Sequence, residues 1–374
     1  MDTEQKFRLL ADASRFDLAC ACGTRSNDDH RRPGQDGMWL YPVSLPNGGQ
    51  SVMLKTLLSN VCVNDCKYCP FRSDRDGPRC TLSPEEVARV FLDYVRRRQV
   101  FGLFLSSGVM RDPDYTMERM TAVAEILRRR HQYRGYIHLK IIPGTSDAAI
   151  EQALSLASAV SLNVEVPRRS AFEMLSSRKD FDRDIVRPIR RISELTARGN
   201  RHAGVKQTTQ FIVGAATESD SDIVKATFGL YRRLHLSRVY YSAYQRGLGA
   251  PDLPGERRVL AEPTDLLTRE HRLYQADFLI RRYKWSESDF FFEDDGNLSL
   301  STDPKENWAL RHPDFFPVRL HTADRDALLR VPGIGPLTAK RILDARKCGA
   351  AWNIENLGLR GKRLEQVRRH AVME

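Results

Sequence analysis

The chain has 374 residues, of which 41% are hydrophobic and 29% are charged, and its formal net charge at pH 7 is +11. This length predicts two or three domains with a substantial core, and no stretch approaches the ~18 apolar residues that a membrane span needs. The start, Met1-Asp2-Thr3-Glu4, lacks the basic-then-apolar order of a secretory signal. Seven cysteines, three of them clustered, indicate metal binding in a reducing cytoplasm rather than disulfides.

Residues 1–50 are predicted to be an N-terminal extension, with a short helix over 7–16 and a Pro-Asn-Gly-Gly turn at 46–49. This extension carries Cys20 and Cys22. Together with Cys80, these two cysteines admit two interpretations, a second metal site or a hydrogen-donating thiol. Cys348, near the end of the chain, is predicted to be a packing residue.

From residue 51 to residue 244, predicted strands alternate with predicted helices. The strands are expected at 52–58, 101–105, 136–142, 160–166, 207–213 and 238–242, and the helices at 83–98, 116–130, 147–156 and 220–234, with one or two further helices over 170–198. This order implies an α/β fold with parallel strands joined by crossover helices, which both a barrel and an open doubly wound sheet satisfy. We favour a six-unit partial (βα) barrel, because functional groups in barrels lie at the carboxyl ends of strands and a cysteine loop directly follows the first strand.

That loop contains Cys62, Cys66 and Cys69, spaced C-x3-C-x2-C, with Tyr68 just before the third cysteine. Thiolates this close converge on one soft metal centre, and iron–sulfur clusters are held by such runs. A zinc site that takes its fourth ligand from elsewhere, or cysteines that only pack, are the alternatives. The pattern resembles that of radical S-adenosylmethionine (SAM) enzymes. The resemblance implies a 4Fe-4S cluster with one open iron, which SAM occupies while Tyr68 contacts the adenine.

The same resemblance implies further SAM contacts at the ends of later strands. Ser106-Ser107-Gly108 would support the methionine amino group, Asn163 or Glu165 would meet the ribose, and the stretch 211–218, with Gly214 and Glu218, would lie against the adenine. Asn163 and Glu165 are two residues apart on a strand and therefore share a face. Ser-Ser-Gly departs from the usual Gly-Gly-Glu-like triplet, so hydroxyl or carbonyl groups would have to replace its carboxylate.

Several residues of the barrel are candidates for contact with a substrate. Tyr240 and Tyr241, with Tyr244, close the sixth predicted strand, where a tyrosine could relay a hydrogen atom, although aromatic residues in strands are more often part of the core. His138 and Lys140 share one face of the third strand and could contact a phosphate or a base. Lys140 is favoured because it is nearer the carboxyl end of the strand.

Residues 245–317 break the alternation and are predicted to form a bridging or lid segment, with glycines and prolines first and a helix over 266–283. Residues 318–374 are predicted to form a small all-α domain. This last segment holds twelve Lys and Arg but only six Asp and Glu, so it carries just over half of the net positive charge. A basic domain suggests a polyanionic partner such as nucleic acid, and a solvated basic face without a partner is the alternative.

The basic segment contains a glycine hairpin, Gly333-Ile334-Gly335, between two predicted short helices that share a core. The glycines allow close backbone approach, and the N–H groups that begin the second helix can bind a phosphate, with Lys340 and Arg341 one turn further on. This pattern resembles the helix-hairpin-helix family of DNA-backbone binders, and residues 357–363 echo it weakly. A helical hairpin used only for protein contacts is the alternative.

Taken from residue 9 to residue 368, the chain resembles the putative DNA modification or repair radical SAM proteins. The motifs that carry this resemblance are LFLSSG at 103–108, DYTME at 114–118, GYIHLK at 135–140, VYYSAY at 239–244, EHRLYQAD at 270–277, NWALR at 307–311 and VPGIG at 331–335. The resemblance implies reductive cleavage of SAM to a 5′-deoxyadenosyl radical and a low-potential electron donor such as flavodoxin or ferredoxin. It further implies DNA as the substrate and a uracil-DNA-glycosylase-like partner protein.

Two other functions remain open at this level. One is a radical SAM enzyme that acts on RNA or protein and uses the basic segment for docking. The other is an iron–sulfur DNA-binding sensor without turnover.

Overall fold

The computed structural model describes residues 1–17, 31–34, 39–44, 49–262, 264–348 and 352–373. The chain divides into two compact units. The first comprises residues 1–218 and 229–270, and the second comprises residues 219–228 and 271–374. Cys20 and Cys22 lie outside the described residues, so the prediction of a second metal site is not tested.

The strands are short and most are separated by helices. They are β1 (Arg32–Pro33), β2 (Trp39–Ser44), β3 (Gln50–Leu57), β4 (Gly102–Ser106), β5 (Tyr136–Lys140), β6 (Ala159–Ser161), β7 (Lys206–Val213), β8 (Arg238–Ala243), β9 (Val318–Arg319) and β10 (Ala371–Val372). The α-helices are α1 (Thr3–Ala13), α2 (Pro84–Arg96), α3 (Pro113–Glu125), α4 (Asp147–Leu156), α5 (Arg169–Glu173), α6 (Arg187–Thr196), α7 (Asp220–Arg232), α8 (Pro254–Arg257), α9 (Asp265–Tyr283), α10 (Pro304–Arg311), α11 (Arg325–Arg330), α12 (Pro336–Cys348) and α13 (Gly361–His370).

The first unit is built on one sheet whose strands lie in the order β1 to β8. Strands β3 to β8 are parallel to their neighbours, and each pairs with the next strand along the chain. A doubly wound sheet would reverse its strand order at an internal point, so this sequential order confirms the prediction of an α/β partial barrel with six parallel strands. The crossovers bury the outer face of the sheet, where Leu103, Leu105, Ile137 and Leu139 have no solvent exposure.

Local sequence signals start the crossover helices where they were expected. Ser83 caps α2 by accepting a hydrogen bond from the Glu86 N–H, and the Glu86 side chain accepts one from the Ser83 N–H in return. This reciprocal arrangement pairs two N–H donors that an uncapped helix would leave free. Asp112 and Ser146 cap α3 and α4 through their side-chain oxygens alone, which accept from the Tyr115 and Ala149 N–H groups, and α3 begins three residues before its expected start.

The structure differs from the expected elements at three places. Part of the predicted N-terminal extension, β2, pairs antiparallel with β3 and widens the sheet. The strand predicted at 160–166 ends at Ser161, and Glu165 beyond it has a φ of 64°, which an extended strand cannot contain. The one or two helices predicted over 170–198 are two, α5 and α6, and a π-helical turn that was not predicted precedes α6.

The second unit contains a helical hairpin, α11 and α12 with the glycine turn at 333–335, and a later glycine turn on the same apolar core. Leu328, Leu329, Ile334, Ala339 and Ile342 of the hairpin are buried, as the sequence predicted, and Leu357, Leu359 and Val367 join the same cluster. The weak echo at 357–363 contains a left-handed turn at Gly358 between a short 3-10 turn, Ile354–Leu357, and α13. The segment is not purely helical, because β9 and β10 form a parallel pair.

The predicted boundary between residues 317 and 318 does not separate compact parts of the chain, because residues 271–374 belong to one unit. Arg330 of α11 shows why, since its guanidinium lies 4.5 Å from the ring centres of both Trp285 and Trp308. Asp289 also accepts a 2.8 Å hydrogen bond from Arg330. Among the described residues, no helix is both long and apolar enough to cross a membrane.

Candidate functional site

The cysteine loop lies directly after β3, at the carboxyl end of the parallel strands, and backbone hydrogen bonds fix it along its length. The Val63 N–H donates to the Val109 carbonyl at 2.8 Å, and the Lys67 N–H donates to the Leu175 carbonyl at 2.8 Å. The sequence therefore places the loop between two later segments of the same unit. Its conformation depends on residues that are distant in sequence.

Asp65, inside the loop, anchors it to the segment that follows α5. Its carboxylate accepts hydrogen bonds from the Ser176 hydroxyl at 2.5 Å, the Ser177 N–H at 2.9 Å and the Ser177 hydroxyl at 2.6 Å. Burial raises the pKa of Asp65, but these hydrogen bonds outweigh burial and lower it to about 2. The carboxylate is thus held ionised, and the positions of the neighbouring thiols are set before any ligand arrives.

Cys62, Cys66 and Cys69 line one cavity. The Val109 N–H lies 3.4 Å from the sulfur of Cys62, and the Phe71 N–H lies 3.4 Å from the sulfur of Cys69. Burial raises the pKa of Cys66 and of Cys69, and the neighbouring thiols raise both further. Thiolates gathered here therefore need positive charge among them, which a metal centre supplies.

The donor set helps to separate an iron–sulfur cluster from zinc. A structural zinc ion takes four protein ligands, whereas the described residues that line this cavity include three cysteines, no histidine and one carboxylate, Glu165, which accepts a hydrogen bond from Tyr68. Iron–sulfur clusters are held by cysteine thiolates. The three cysteines therefore fit the cluster better than they fit zinc.

The predicted cofactor residues near the strand ends, and Lys140, a predicted substrate contact, line the same cavity. They lie at or beyond the carboxyl ends of β4, β5 and β6, and they are Ser106, Ser107, Gly108, Lys140, Asn163 and Glu165, with Tyr68 from the cysteine loop. Gly108 is required by close packing, since a Cβ there would lie 2.4 Å from the Val61 carbonyl oxygen. The fold thus brings one polar rim to the carboxyl ends of successive strands.

Glu165 is the acidic residue of this rim. It is 6% exposed and accepts a 2.7 Å hydrogen bond from the Tyr68 hydroxyl. Burial raises the pKa of Tyr68, and the carboxylate of Glu165 raises it further, so the phenol stays protonated. A carboxylate held in this way can accept hydrogen bonds from sugar hydroxyls.

Gly214 and Glu218 do not line the cavity. The Glu218 carboxylate accepts hydrogen bonds from the Gly214 N–H at 2.5 Å and the Ala216 N–H at 3.1 Å, and Glu218 is only 2% exposed. Both oxygens accept hydrogen bonds that close the turn after β7, and the contact of these two residues with adenine stays a prediction. From the same stretch, Ile212 lines the cavity instead.

The two tyrosines of β8, Tyr240 and Tyr241, lie on opposite faces of the strand. Tyr241 is 1% exposed and its ring stacks on that of Phe211, with 6.1 Å between ring centres, so its position is that of a core residue and not of a substrate contact. Tyr240 shares the interior face of β8 with Ser242, which lines the cavity. Tyr244 lines the cavity and donates a hydrogen bond to Glu256.

Lys179 is a cavity residue that the sequence did not single out. It hydrogen-bonds Cys66, and although burial lowers its pKa, the charges of Cys66 and Glu165 outweigh burial and raise the pKa overall. Phe16, Gln210 and Gln245 also line the cavity and were not predicted. No local motif marks these residues, because they come together only through the fold.

In the second unit, the predicted DNA-binding residues differ in their contacts with the rest of the chain. Gly333 has a φ of 87°, and a Cβ on it would lie 2.5 Å from the Arg363 carbonyl oxygen, so this glycine packs one hairpin on the other. Arg341 donates to the Leu357 carbonyl at 2.9 Å through one of its five N–H groups and is exposed, so its role as a phosphate ligand stays a prediction. Gly335 and Lys340 remain available, and Lys340 is exposed.

Two remaining cysteines are described. Cys80 is half-buried and contacts the Lys6 carbonyl at 3.7 Å. Cys348 is exposed, so its prediction as a packing residue is wrong.

Comparisons with known proteins bear on this site. Residues 56–227 match the family model described as the Radical SAM superfamily. No curated protein sequence matches the chain.

Three solved structures resemble the chain at low identity. Methylornithine synthase (PylB) is 15% identical with a TM-score of 0.47, and the match covers 61% of each chain, so less than two thirds of that protein is represented. The FeFe-hydrogenase maturase HydG from Carboxydothermus hydrogenoformans is 15% identical with a TM-score of 0.46 over 84% of this chain and 81% of that one. Streptococcus suis SuiB is 14% identical with a TM-score of 0.44 over 62% and 47%.

Proposed function

Since residues 56–227 give this chain a radical SAM domain, and with it a 4Fe-4S cluster and S-adenosylmethionine as cofactors, we propose that this enzyme modifies or repairs a nucleotide in DNA. The cofactors, when bound, supply hydrogen-atom abstraction from an unreactive carbon. The chain itself must bind them, orient the substrate and exclude water.

The residues that line the cavity would each contribute to binding according to their chemistry. Cys62, Cys66 and Cys69 would hold three irons of the cluster. The ammonium of Lys179, beside Cys66 and Glu165, would pair with the carboxylate of SAM. Glu165, fixed by Tyr68, would accept hydrogen bonds from the ribose. The apolar side chain of Ile212 lines the same cavity and would pack against the adenine.

The proposal that the substrate is DNA rests on two glycine turns in the second unit, which pack on one apolar core. Gly333 and Gly358 both have left-handed backbone conformations, with φ of 87° and 73°, and Leu357 beside the second turn belongs to the shared core. Such turns bring backbone N–H groups close to a ligand phosphate. Exposed cations accompany them, namely Lys340, Lys347, Arg360, Lys362 and Arg363. Contacts of this kind grip the backbone without reading its sequence.

The chemistry requires a low-potential electron donor such as flavodoxin or ferredoxin to reduce the cluster. The resemblance to the DNA modification or repair proteins adds a uracil-DNA-glycosylase-like partner protein to the proposal. An RNA or protein substrate, with the second unit as a docking module, is the other candidate among enzymes.

Duplex affinity tests the proposal. The double variant Lys340→Gln/Lys347→Gln should weaken binding of a random-sequence duplex about tenfold or more at low salt, and it should reduce the slope of log K against log salt by nearly one per lost phosphate contact. Arg198→Gln/Arg201→Gln removes two exposed charges from the first unit and should leave both quantities unchanged. Equal affinities for the wild type and both variants would remove the second unit as the DNA grip.

A further inference from the structure

The chain around Cys62 reaches the surface of the first unit. Val61 and Val63, its two neighbours in sequence, are 39% and 38% exposed, although valine is among the residues that are most often buried. Cys62 itself is half-buried, and Cys66 is buried. Since Cys62 also lines the cavity, the backbone that carries this cluster ligand runs along the surface while the site lies behind it.

Backbone contacts hold this stretch on the turn that follows β4. The Val61 N–H donates to the Ser59 hydroxyl at 3.1 Å, and the Val63 N–H donates to the Val109 carbonyl at 2.8 Å. A Cβ on Gly108 would lie 2.4 Å from the Val61 carbonyl oxygen, so the two backbones are in direct contact. The exposed valines therefore belong to a fixed surface.

Two arginines bind the carbonyl groups at either end of the same stretch. Arg79 donates to the Asn60 carbonyl at 2.7 Å, and Arg178 donates to the Val63 carbonyl. Arg178 is exposed, and Arg79 is half-buried. The contact of Arg178 uses one of the five N–H groups of its guanidinium, so this group can bind a second acceptor.

Arg111 adds a third positive charge near the valines. It follows Val109, which accepts the hydrogen bond from Val63, by two residues, and it is exposed. Its guanidinium lies 4.6 Å from the ring centre of Tyr115, a cation–π contact that restrains the side chain. We name the following five residues the Cys62 patch: Val61, Val63, Arg79, Arg111 and Arg178.

The surroundings of the Cys62 patch carry a net positive charge. Three segments meet there, namely 59–79, 108–112 and 175–179. Together they hold seven Lys and Arg but four Asp. Three of these carboxylates are engaged within the unit, namely Asp65 with Ser177, Asp74 with Arg72, and Asp112 as the cap of α3. An acidic partner would therefore be attracted to this surface.

The chemistry of the site requires a partner on this side of the cysteine loop. Reductive cleavage of SAM takes up one electron from a low-potential donor, and SAM and the substrate then occupy the cavity side of the thiols. A donor protein must therefore approach the loop from outside. Cys62 offers a direct covalent route, because its neighbours in the chain are exposed and it lines the cavity.

We propose that the Cys62 patch is the docking surface for the electron donor, an acidic protein that carries one electron at low potential. One electron leaves the reduced carrier and enters the oxidised cluster, so the carrier is oxidised and the cluster is reduced by one electron each. Electron-transfer complexes have small interfaces, and protein interfaces combine an apolar centre with arginine. Two exposed valines bordered by three arginines have that composition. This role rests on the SAM cleavage of the proposed function and not on its DNA substrate.

Oxidation of a carrier protein tests the proposal. Cluster-loaded protein with SAM is mixed anaerobically with flavodoxin in its hydroquinone form, and formation of the flavodoxin semiquinone is followed by absorbance. Dithionite, which is too small to need a docking surface, is the parallel reductant, with 5′-deoxyadenosine as its readout. Arg111→Glu should slow the oxidation of flavodoxin about tenfold or more at low salt and should change dithionite-driven cleavage less than about twofold. Equal flavodoxin rates in the variant and the wild type would overturn the proposal.

The dependence on salt separates docking from damage to the fold. In the wild type the rate with flavodoxin should fall as salt rises, because salt screens the attraction between opposite charges. The fall should be shallower in Arg111→Glu and unchanged in Arg198→Glu, which reverses an exposed charge outside the Cys62 patch. Val61→Gln, which changes no charge, should lower the rate at every salt concentration with the wild-type slope. Equal slopes in Arg111→Glu and Arg198→Glu would refute the assignment of the surface.

Two further outcomes distinguish this surface from the proposed function. If dithionite supports SAM cleavage but neither Arg111→Glu nor Val61→Gln alters the reaction with flavodoxin, the docking surface alone is wrong. If dithionite supports no SAM cleavage, the proposed function is refuted first. An equal loss in Arg111→Glu with flavodoxin and with dithionite would indicate damage to the site and would also contradict a docking role.

Discussion

The cysteine loop and the first glycine hairpin are both short motifs, yet the structure uses them differently. In the loop, Cys62, Cys66 and Cys69 all face one cavity. In the hairpin segment, Gly333 packs against the Arg363 carbonyl and Arg341 bonds the Leu357 carbonyl. A metal motif is defined by side chains that must converge, so each position keeps its function. A hairpin motif is defined by its backbone, which leaves its side chains available for structural contacts.

Substitution of a cysteine in the loop should have the largest effect, because it removes a ligand of the cluster. Cys66→Ala removes one of three ligands and should abolish iron and sulfide retention and reduce SAM cleavage to background. Cys80→Ala, a half-buried cysteine outside the cavity, should retain a full cluster and wild-type cleavage. Iron and sulfide analysis after anaerobic reconstitution measures both variants. A full cluster in Cys66→Ala would contradict the assignment of the loop.

Substitutions at the two glycines of the first glycine hairpin should change the stability of the second unit. Gly333→Ala adds a Cβ 2.5 Å from a carbonyl oxygen at a φ of 87°, and we expect it to lower the free energy of unfolding of the second unit by about 2 kcal/mol or more. Gly335→Ala meets its nearest atom, the Tyr283 hydroxyl, at 3.7 Å and should cost less than about 0.5 kcal/mol. Denaturant titration compares the two, and equal losses would show that the left-handed turn is not the cause.

Two buried carboxylates of the first unit, those of Glu165 and Glu218, are expected to have different functions: Glu165 binds a ligand and Glu218 stabilises the fold. Glu165→Gln should raise the Kd of SAM about tenfold, because a charge-assisted hydrogen bond is worth about 1.5–3 kcal/mol. Glu218→Gln should lower thermal stability and leave the Kd of SAM unchanged, since its oxygens bond the Gly214 and Ala216 N–H groups. Dialysis of SAM against both variants decides the matter, and the reverse pattern would restore Glu218 as the ligand-binding residue.

The smallest expected effect is a pH dependence of stability that Lys305 causes at the tip of the first glycine hairpin. Lys305 donates a 2.5 Å hydrogen bond to the Ile334 carbonyl, and burial lowers its pKa to about 7. A lowered lysine pKa makes the unfolded state bind more protons between pH 7 and the usual value of 10.5, so stability rises with pH across that window.

From pH 7 to pH 9 we therefore expect the wild type to gain up to about 1 kcal/mol, since partial exposure screens the ammonium. Lys305→Met should be more stable at pH 7 and should lack this gain. Thermal unfolding at the two pH values measures the difference. An identical pH response in the variant would show that another group titrates.

The parts of the fold that depend on local patterns were predictable. Ser83 caps α2 because its side chain and that of Glu86 satisfy N–H groups within one turn. The cysteine spacing and the strand–helix alternation are equally local, and they led to the parallel partial barrel.

The parts that depend on distant residues were not predictable. The Tyr68–Glu165 hydrogen bond joins residues 97 positions apart, and the Asp65–Ser176 hydrogen bond joins residues 111 apart. Lys179 reaches Cys66 only because those contacts place its segment there. The hydrogen bond from the Gly214 N–H to Glu218 also could not be read from the residue types alone. Sequence spacing shows which residues share a face, whereas chain folding decides which faces meet.

The proposed substrate of this radical SAM enzyme is a nucleotide in DNA. The most direct measurement combines cluster-loaded protein, SAM and a reductant with duplexes that are intact, damaged or uracil-containing, followed by mass spectrometry of the digested nucleosides. The account predicts 5′-deoxyadenosine formation that DNA stimulates, together with a nucleoside of altered mass that Cys66→Ala does not produce. SAM cleavage that no duplex stimulates, with every nucleoside unchanged, would contradict it.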